Sequence, residues 1–255
     1  MTPATPVLDG IRLVIFDKDG TLIDFHAMWS GWVESLADDL VRDVRSEVGD
    51  PSAIRLPLFA MMGYDPATGR AHIGGGLVST PMARLRDMTA AVLVGAGVPA
   101  ETAERALRSS WHSPDPVALA HPLTDLGALL GGLHASGRLV AIATSDDRDP
   151  TMRTIDALGL SELIDAEVCA DDGVPAKPAP DMVTHLCTLL GVEPEATAVV
   201  GDSPADVAMG RAARAGLVVG VRSGVGTDPD LAAADLVIDG VGALMDVVME
   251  APPQG

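Results

Sequence analysis

The 255-residue sequence contains only two cysteines, Cys169 and Cys187, and few aromatic residues. Two cysteines are too few for a disulfide framework, so we expect the chain to work in a reducing compartment. Aromatic residues make up 3% of the chain, so the hydrophobic residues, 47% in all, are mainly aliphatic. This composition is typical of a globular α/β protein.

The sequence also lacks long apolar segments and an excess of positive charge. No stretch reaches the roughly 18 uninterrupted apolar residues of a membrane-spanning helix, and residues 1–10 do not resemble a signal peptide. The formal net charge of −19 argues against a basic surface for nucleic acid. We therefore predict a cytoplasmic protein that binds neither membrane nor nucleic acid.

A short apolar run ends in two closely spaced carboxylates. Residues 13–16 predict a buried strand, and Asp17 and Asp19 follow it with Lys18 between them. Alternation along the chain would place Asp17 and Asp19 on one side and Lys18 on the other, where we expect a structural role. Gly20 would let the chain turn or approach a ligand. Taken alone, this pattern also fits an Asp/Gly turn after a strand.

The remaining sequence has two parts that differ in their predicted secondary structure. Residues 24–115 read as helices joined by a long glycine-rich loop over 61–80, with no convincing strand. From residue 116 onward, apolar strands alternate with helices, and the predicted strands are 139–143, 166–170, 197–200, 217–221 and 236–238. This alternation predicts a doubly wound, Rossmann-like parallel sheet in a core domain of residues 1–23 and 116–255, with residues 24–115 inserted as a helical domain.

Polar side chains follow two of these later strands. Thr144 and Ser145 come after strand 139–143, and Asp202 comes after strand 197–200. The carboxyl ends of parallel strands share one edge of the sheet, where ligands bind, so these residues could converge with Asp17. Each also has a simpler explanation as a helix cap, as does Ser203 before Pro204, and Asp206 fits the first turn of the following helix.

Lysine is scarce in this chain, which has fifteen arginines but only Lys18 and Lys177. Lys177 lies in a proline-rich segment, 175–180, that would stiffen the approach to a helix and direct the ammonium towards the sheet edge. The alternative is an ordinary solvated lysine on the surface.

Four segments in order carry a family resemblance: Phe16-Asp-Lys-Asp-Gly-Thr-Leu22, Ala143-Thr-Ser145, Lys177-Pro178 and Gly201-Asp-Ser-Pro-Ala-Asp206. Their combination resembles the motifs of the haloacid dehalogenase-like hydrolase superfamily, and phosphoglycolate phosphatase-like members are the nearest likeness. The resemblance spans residues 11–238, and it implies that the helical insertion is a cap domain.

The resemblance implies a magnesium-dependent phosphatase that cleaves a small phosphomonoester, phosphoglycolate-like or a sugar phosphate, through an aspartyl-phosphate. Asp17 would be the nucleophile and Asp19 the acid and base. The resemblance also implies that phosphate is bound by Gly20, Thr144, Ser145 and Lys177. Mg²⁺ would be bound by Asp17, Asp202 and the main-chain carbonyl of Asp19. Ser203 and Asp206 would orient the metal site. Charge supports this set, because a phosphate dianion beside Asp17 and Asp202 brings about −4 into one pocket, which Mg²⁺ and Lys177 would offset.

Other functions remain open at this point. A phosphomutase could share the aspartyl-phosphate, a phospho-accepting signalling module also combines Asp, Thr or Ser and Lys, and a non-catalytic relative would only bind. A dehalogenase is disfavoured, because halide-displacing members of the family generally lack the second aspartate. For the substrate, Arg70 and His72 in the loop over 61–80 are candidate contacts to an anionic leaving group, although both could simply face solvent.

Overall fold

A computed structural model describes residues 8–112 and 114–245, so both ends of the predicted core domain extend beyond the described residues. The chain divides into two compact units. One comprises the described residues of Met1–Phe25 and Pro116–Gly255, and the other is His26–Asp115.

The first unit contains a six-stranded parallel sheet. Its strands are β1 (Leu13–Phe16), β4 (Leu139–Ala143), β5 (Ala166–Val168), β6 (Thr197–Gly201), β7 (Leu217–Val221) and β8 (Leu236–Ile238). The spatial order is β5-β4-β1-β6-β7-β8, and Leu13 pairs with both Leu139 and Thr197. The central strand β1 is therefore flanked by two strands that are distant in sequence, and the predicted doubly wound sheet is confirmed.

Helices cover this sheet. They are α6 (Leu126–Ala135), α7 (Arg148–Ala157), α8 (Asp181–Leu190), α9 (Pro204–Ala212) and α10 (Asp228–Leu231). All four residues of β1 are buried, and because successive side chains point to opposite faces, both faces of the sheet are covered there. On one face, Met182, Val183 and Leu186 of α8 pack in the cluster that includes Leu13 and Ile15.

The predicted strands 139–143, 217–221 and 236–238 are confirmed with unchanged bounds, whereas β5 ends two residues early. Helix α6 begins at Leu126, because the Asp125 side chain accepts a hydrogen bond from the Ala128 N–H and caps the helix. Helix α7 begins at Arg148 although Pro150 follows closely, since a proline is tolerated in the first helical turn.

The second unit is mainly helical. Its helices are α1 (Phe25–Asp43), α2 (Ser52–Met62), α3 (Gly76–Ser79), α4 (Met82–Gly95) and α5 (Ala100–Ser110), the first residue of α1 belonging to the first unit. Among the helices of the described residues, none has both the length and the apolar character needed to cross a bilayer.

The expectation that this unit has no strand is wrong. Within the predicted loop 61–80, β2 (Tyr64–Asp65) pairs antiparallel with β3 (Arg70–Ala71). The turn between them forms because the Asp65 side chain accepts a hydrogen bond from the Ala67 N–H at 2.9 Å, and Gly69 adopts a φ of +68°. Strands of two residues leave no alternation in the sequence, so periodicity could not reveal them.

Candidate active site

The ends of β1 and β6 place two aspartates side by side at the carboxyl edge of the sheet. Asp17 follows β1, and its N–H donates to the Val200 carbonyl of β6 at 2.8 Å. Asp202 follows β6 directly. Lys177 lies in the loop between β5 and α8, and Asp206 lies in the first turn of α9. The predicted convergence of distant motifs is therefore present in the first unit.

Lys177 connects two of these carboxylates. Its Nζ atom lies 2.6 Å from Oδ1 of Asp17 and 2.6 Å from Oδ1 of Asp206. The lysine side chain is only 4% exposed. The alternative that Lys177 is a solvated surface residue is therefore wrong.

The two oxygens of Asp206 have different partners. The Ser203 N–H and hydroxyl donate to Oδ2 of Asp206 at 3.1 and 2.6 Å, and Asp206 N–H donates to Ser203 Oγ at 3.3 Å, which forms a capping box for α9. The helix-cap explanation of this pair is therefore correct for one oxygen, while the other oxygen contacts Lys177. One side chain thus joins the start of a helix to the buried ion-pair network.

Three carboxylates form a group that could hold a metal ion. One oxygen each from Asp17, Asp202 and Asp206 lies within 4.8 Å of the others, and all three residues are buried. The expected ligands were Asp17, Asp202 and the main-chain carbonyl of Asp19. Asp206 was expected only to orient the site, but its carboxylate belongs to the group itself because the capping box brings it to the sheet edge.

The electrostatics of this group favour a divalent cation. Three carboxylates and the Lys177 ammonium sum to a formal charge of −2 if all are ionised. Burial raises the pKa of Asp17 to about 6, an effect that Lys177 opposes and Asp206 strengthens. Burial and then the Asp17 charge raise the pKa of Asp202 well above its usual range. An all-oxygen donor set with excess negative charge suits a hard cation such as Mg²⁺.

Asp19 is not among the three carboxylates of this group, and its side chain is paired with Lys18. The Lys18 Nζ atom lies 2.7 Å from both carboxylate oxygens of Asp19. The expectation that Lys18 points away from the flanking aspartates is therefore wrong. Strand β1 ends at Phe16, so the strict alternation of side chains no longer applies at position 18.

Gly20, a predicted phosphate-binding residue, forms a tight turn after Asp19. Its N–H donates to the Ile23 carbonyl at 2.7 Å within this turn, and phosphate binding by Gly20 stays a prediction. Gly20 has a φ of +90°, and a Cβ atom there would lie 2.6 Å from Cγ of Asp202. The residue therefore allows the chain to pass directly against Asp202.

Thr144 and Ser145 follow β4, and neither caps the next helix. Thr144 is buried, and its Oγ1 atom accepts a hydrogen bond from the Asp146 N–H at 3.1 Å. Helix α7 begins at Arg148 after Asp147, so Thr144 shapes the turn rather than capping the helix. Ser145 is exposed. Phosphate binding by Thr144 and Ser145 stays a prediction.

The loop after β7 encloses Asp202, although no site residue was predicted there from the sequence. The Val225 N–H donates to Oδ2 of Asp202 at 2.8 Å, and the Ser223 hydroxyl donates to the Gly20 carbonyl at 2.7 Å. A Cβ atom on Gly224 would lie 1.9 Å from Oδ2 of Asp202. The available signal was the run Ser-Gly-Val-Gly soon after an apolar strand.

Arg70 and His72, the predicted substrate contacts, belong to the second unit. Arg70 lies on β3 and His72 directly follows this strand, and both side chains are exposed. The Nδ1 atom of His72 lies 3.0 Å from the Ile73 carbonyl oxygen. Their contact with a substrate stays a prediction.

The chain is similar in sequence to known hydrolases. A family model described as haloacid dehalogenase-like hydrolase matches residues 11–214. A phosphoglycolate phosphatase from Rhodospirillum rubrum is 32% identical over 209 residues, which cover 82% of this chain and 78% of the relative.

Solved structures support the fold. A predicted phosphoglycolate phosphatase from Haemophilus somnus aligns with a TM-score of 0.61 at 18% identity and covers 93% of this chain and 98% of its own. A proposed β-phosphoglucomutase from Thermotoga maritima aligns with a TM-score of 0.62 at 18% identity, over 95% of this chain and 100% of its own. The resemblance inferred from the four motifs is confirmed. With its parallel sheet, its buried Asp-Lys-Asp network and a family match that covers most of its length, the chain belongs to the haloacid dehalogenase-like hydrolases.

Proposed function

We propose that this hydrolase removes phosphate from a small phosphomonoester, phosphoglycolate or a sugar phosphate, with Asp17 as the nucleophile. The observation that carries the proposal is the 2.6 Å contact between Lys177 Nζ and Asp17 Oδ1 at the sheet edge. A carboxylate attacks only when it is ionised, and the buried ammonium favours the ionised form against the effect of burial. The relative from Rhodospirillum rubrum, a phosphoglycolate phosphatase, supports the substrate class.

Each residue would take a defined part in two steps. In the first, an Asp17 oxygen attacks phosphorus, the bond to the leaving alcohol breaks, and Asp19 donates its proton to that alcohol. In the second, Asp19 takes a proton from water, whose oxygen attacks the aspartyl-phosphate and releases inorganic phosphate and free Asp17. The reaction therefore needs one carboxylate as nucleophile and a separate one that carries the proton.

Lys177 would also bind the phosphoryl group. An ammonium has three N–H donors, and Lys177 donates one of them to Oδ1 of Asp17 while its Nζ atom also lies 2.6 Å from Oδ1 of Asp206, so a donor remains for a phosphoryl oxygen. Thr144 is the proposed hydroxyl donor to the same group, with Ser145 as a weaker candidate because its side chain is exposed. These donors would stabilise the charge that develops on the phosphoryl oxygens.

Asp17, Asp202 and Asp206 would hold Mg²⁺. The fit rests on three buried carboxylate oxygens within 4.8 Å of one another, which Lys177 only partly neutralises. When bound, the ion would offset the negative charge of the phosphoryl oxygens. Asp206 is held towards this group by the Ser203 capping box, so the start of α9 orients the site.

The second unit is proposed as the cap domain that selects the substrate. It is inserted between β1 and β4, and it carries the exposed side chains of Arg70, on β3, and of His72, directly after β3. A positive or hydrogen-bonding group there suits an anionic leaving group such as glycolate.

The test is phosphate release from a panel of phosphoglycolate, sugar phosphates and nucleotides, with Mg²⁺ and with a chelator. Wild-type protein is expected to release phosphate only with the metal, and Asp17→Asn to lose the activity. Asp149→Asn is the matched control, because Asp149 is an exposed carboxylate in the first turn of α7. Undiminished turnover by Asp17→Asn would overturn the assignment of the nucleophile.

The same assay separates the alternatives. Release of phosphate over many turnovers indicates a hydrolase, whereas return of phosphate to another position of a sugar would identify a phosphomutase. A single stoichiometric phosphorylation without turnover would identify a signalling module. A wild-type enzyme that does not prefer phosphoglycolate would restrict the proposal to other phosphomonoesters.

A further inference from the structure

The second lysine of the chain is also buried and paired with carboxylates. Lys18 is only 2% exposed, and its Nζ atom lies 2.7 Å from both oxygens of Asp19 and 3.1 Å from Oδ2 of Asp146. Burial by itself lowers the pKa of Lys18, but Asp19 and Asp146 more than offset this, so the ammonium keeps its charge.

Asp146 is held in place by the turn after β4. Its N–H donates to Thr144 Oγ1 at 3.1 Å, and its carbonyl accepts from the Ala170 N–H at 2.9 Å. Its Oδ1 atom accepts from the Asp147 N–H at 3.0 Å. Lys18 therefore connects Asp19 to a turn whose backbone is already constrained.

The two lysines divide the carboxylates of the site into two sets. Lys177 contacts Asp17 and Asp206, which belong to the carboxylate group that could hold a metal. Lys18 contacts Asp19 and Asp146, and Asp19 does not belong to that group. A carboxylate bound to a divalent ion is a poor proton carrier, so this separation has a chemical consequence.

We propose that Lys18, anchored by Asp146, positions the Asp19 carboxylate and holds it out of the metal-binding group, so that it remains available to the leaving-group oxygen. The inference rests on the proposed role of Asp19 as acid and base. Lys18 is a positioning residue, since it acts through Asp19.

A purely structural role does not explain a lysine here. Burying an ammonium carries a desolvation cost, and a buried ion-pair network as a whole can often be replaced by apolar side chains without loss of stability. Both carboxylate partners of Lys18 are partly exposed, at 19% for Asp19 and 32% for Asp146, so water could solvate them without it. What Lys18 adds is a fixed direction for Asp19.

The test compares two leaving groups. Lys18→Met is expected to lower kcat/KM for phosphoglycolate roughly 10- to 100-fold, since a misplaced general acid loses much of its effect. The loss for p-nitrophenyl phosphate is expected to be much smaller, because nitrophenolate leaves without a proton. Lys18→Arg keeps the charge and is expected to restore part of the phosphoglycolate activity. Equal losses for the two substrates, or no loss, would overturn the inference.

Metal affinity gives a readout that is independent of turnover. Titration calorimetry with Mn²⁺ is expected to show that Lys18→Met binds the ion at least as tightly as wild type, because the released Asp19 carboxylate can join the group. Weaker binding would show that Lys18 supports the carboxylate group itself, and would overturn the inference.

Asp146→Asn tests the anchor if Lys18→Met does not fold. It is expected to show the same dependence on the leaving group with a smaller loss, and Asp147→Asn is the control because Asp147 is the exposed neighbour in the same turn. Asp19→Asn separates the two proposals. Full phosphoglycolate activity in Asp19→Asn would refute the proposed role of Asp19. An inactive Asp19→Asn beside unaffected Lys18→Met and Asp146→Asn would refute only the positioning role.

Discussion

The Nζ atom of Lys177 lies 2.6 Å from Oδ1 of Asp17, although 160 positions separate the two residues. Asp17 extends from the central strand β1, and Lys177 comes from the loop that leads into α8. Both side chains are largely buried, with exposed fractions of 4% and 11%. The ammonium therefore offsets part of the cost of placing several carboxylates in one poorly hydrated site.

Replacement of this ammonium should harm both activity and stability. Lys177→Met is expected to lower kcat roughly 10²–10³-fold, the usual effect of removing one donor to a developing negative charge. It should also reduce the free energy of unfolding of the metal-free protein by about 3 kcal/mol, because buried carboxylates lose their partner. Phosphate release and urea unfolding measure the two effects. Wild-type turnover by Lys177→Met would contradict the proposed site.

Stabilisation by Mg²⁺ should depend on pH. The pKa of Asp17 is about 6 in the fold, against an ordinary value of 3.8, so its contribution to stability is greatest at low pH and is lost as the pH rises through 6. Metal binding needs the ionised group, so protons compete with the ion. Saturating Mg²⁺ should raise the melting temperature more at about pH 7.5 than at about pH 5. Equal shifts at the two pH values, or an undiminished shift in Asp17→Asn, would speak against this site.

The space around Asp202 should not tolerate a methyl group. A Cβ atom on Gly224 would lie 1.9 Å from Oδ2 of Asp202, so Gly224→Ala must displace the carboxylate or the loop. We expect a loss of stability of about 1–3 kcal/mol, as for other overpacked sites, and weaker Mn²⁺ binding by calorimetry.

Gly131→Ala is the matched control for this change. Gly131 lies within α6, and a Cβ atom there would meet nothing within 4 Å, so alanine should stabilise the protein by about 0.5–1 kcal/mol. If both variants keep wild-type Mn²⁺ affinity, the close packing of Gly224 is not required for the metal site.

Arg148 should help to hold the loop that carries Lys177. Its Nε and Nη2 atoms each lie 2.7 Å from an oxygen of Asp172, and its Nη1 atom lies 2.7 Å from Oε1 of Glu167. These bonds tie the start of α7 to β5 and to the loop that follows it. Arg148→Lys cannot reproduce the planar pairing, so we expect kcat to fall roughly 3- to 10-fold and stability by about 1 kcal/mol.

Arg153→Lys on the same helix is the control, since Arg153 is exposed. Steady-state kinetics and thermal unfolding measure both variants. Equal kinetic constants for the two variants would show that Arg148 does not influence the site.

Most strands of the core were predictable because they are short apolar runs that end in glycine or polar residues; β5, which contains Glu167, does not fit this description. Strands β4, β7 and β8 have the predicted bounds, and β1 is buried along its whole length. A strand covered on both faces needs continuous apolar residues, so it can be recognised from a short stretch of a single sequence. The β2–β3 hairpin was missed because two-residue strands carry no comparable pattern.

The site was predictable in part. Asp17, Asp202 and Lys177 converge as expected, because motifs at the ends of parallel strands meet at one edge. The carboxylate of Asp206 in the metal-binding group and the pairing of Lys18 with Asp19 were not expected. The Lys18 pairing depends on side-chain directions beyond the end of a strand, where the strand repeat no longer applies. The Asp206 contact depends on how the first turn of α9 packs against the loop that carries Lys177.

The sequence by itself determined the parallel α/β fold, the family and the residue types of the site, because apolar runs and ordered motifs are local properties of the chain. Only the tertiary structure decided which ammonium pairs with which carboxylate. Lys18 and Lys177 are both buried, yet one contacts Asp19 and the other contacts Asp17. Over distances of a few ångström in a poorly hydrated site, the partner of each charge depends on packing of the loops after β1, β4 and β5, and no local pattern records that packing.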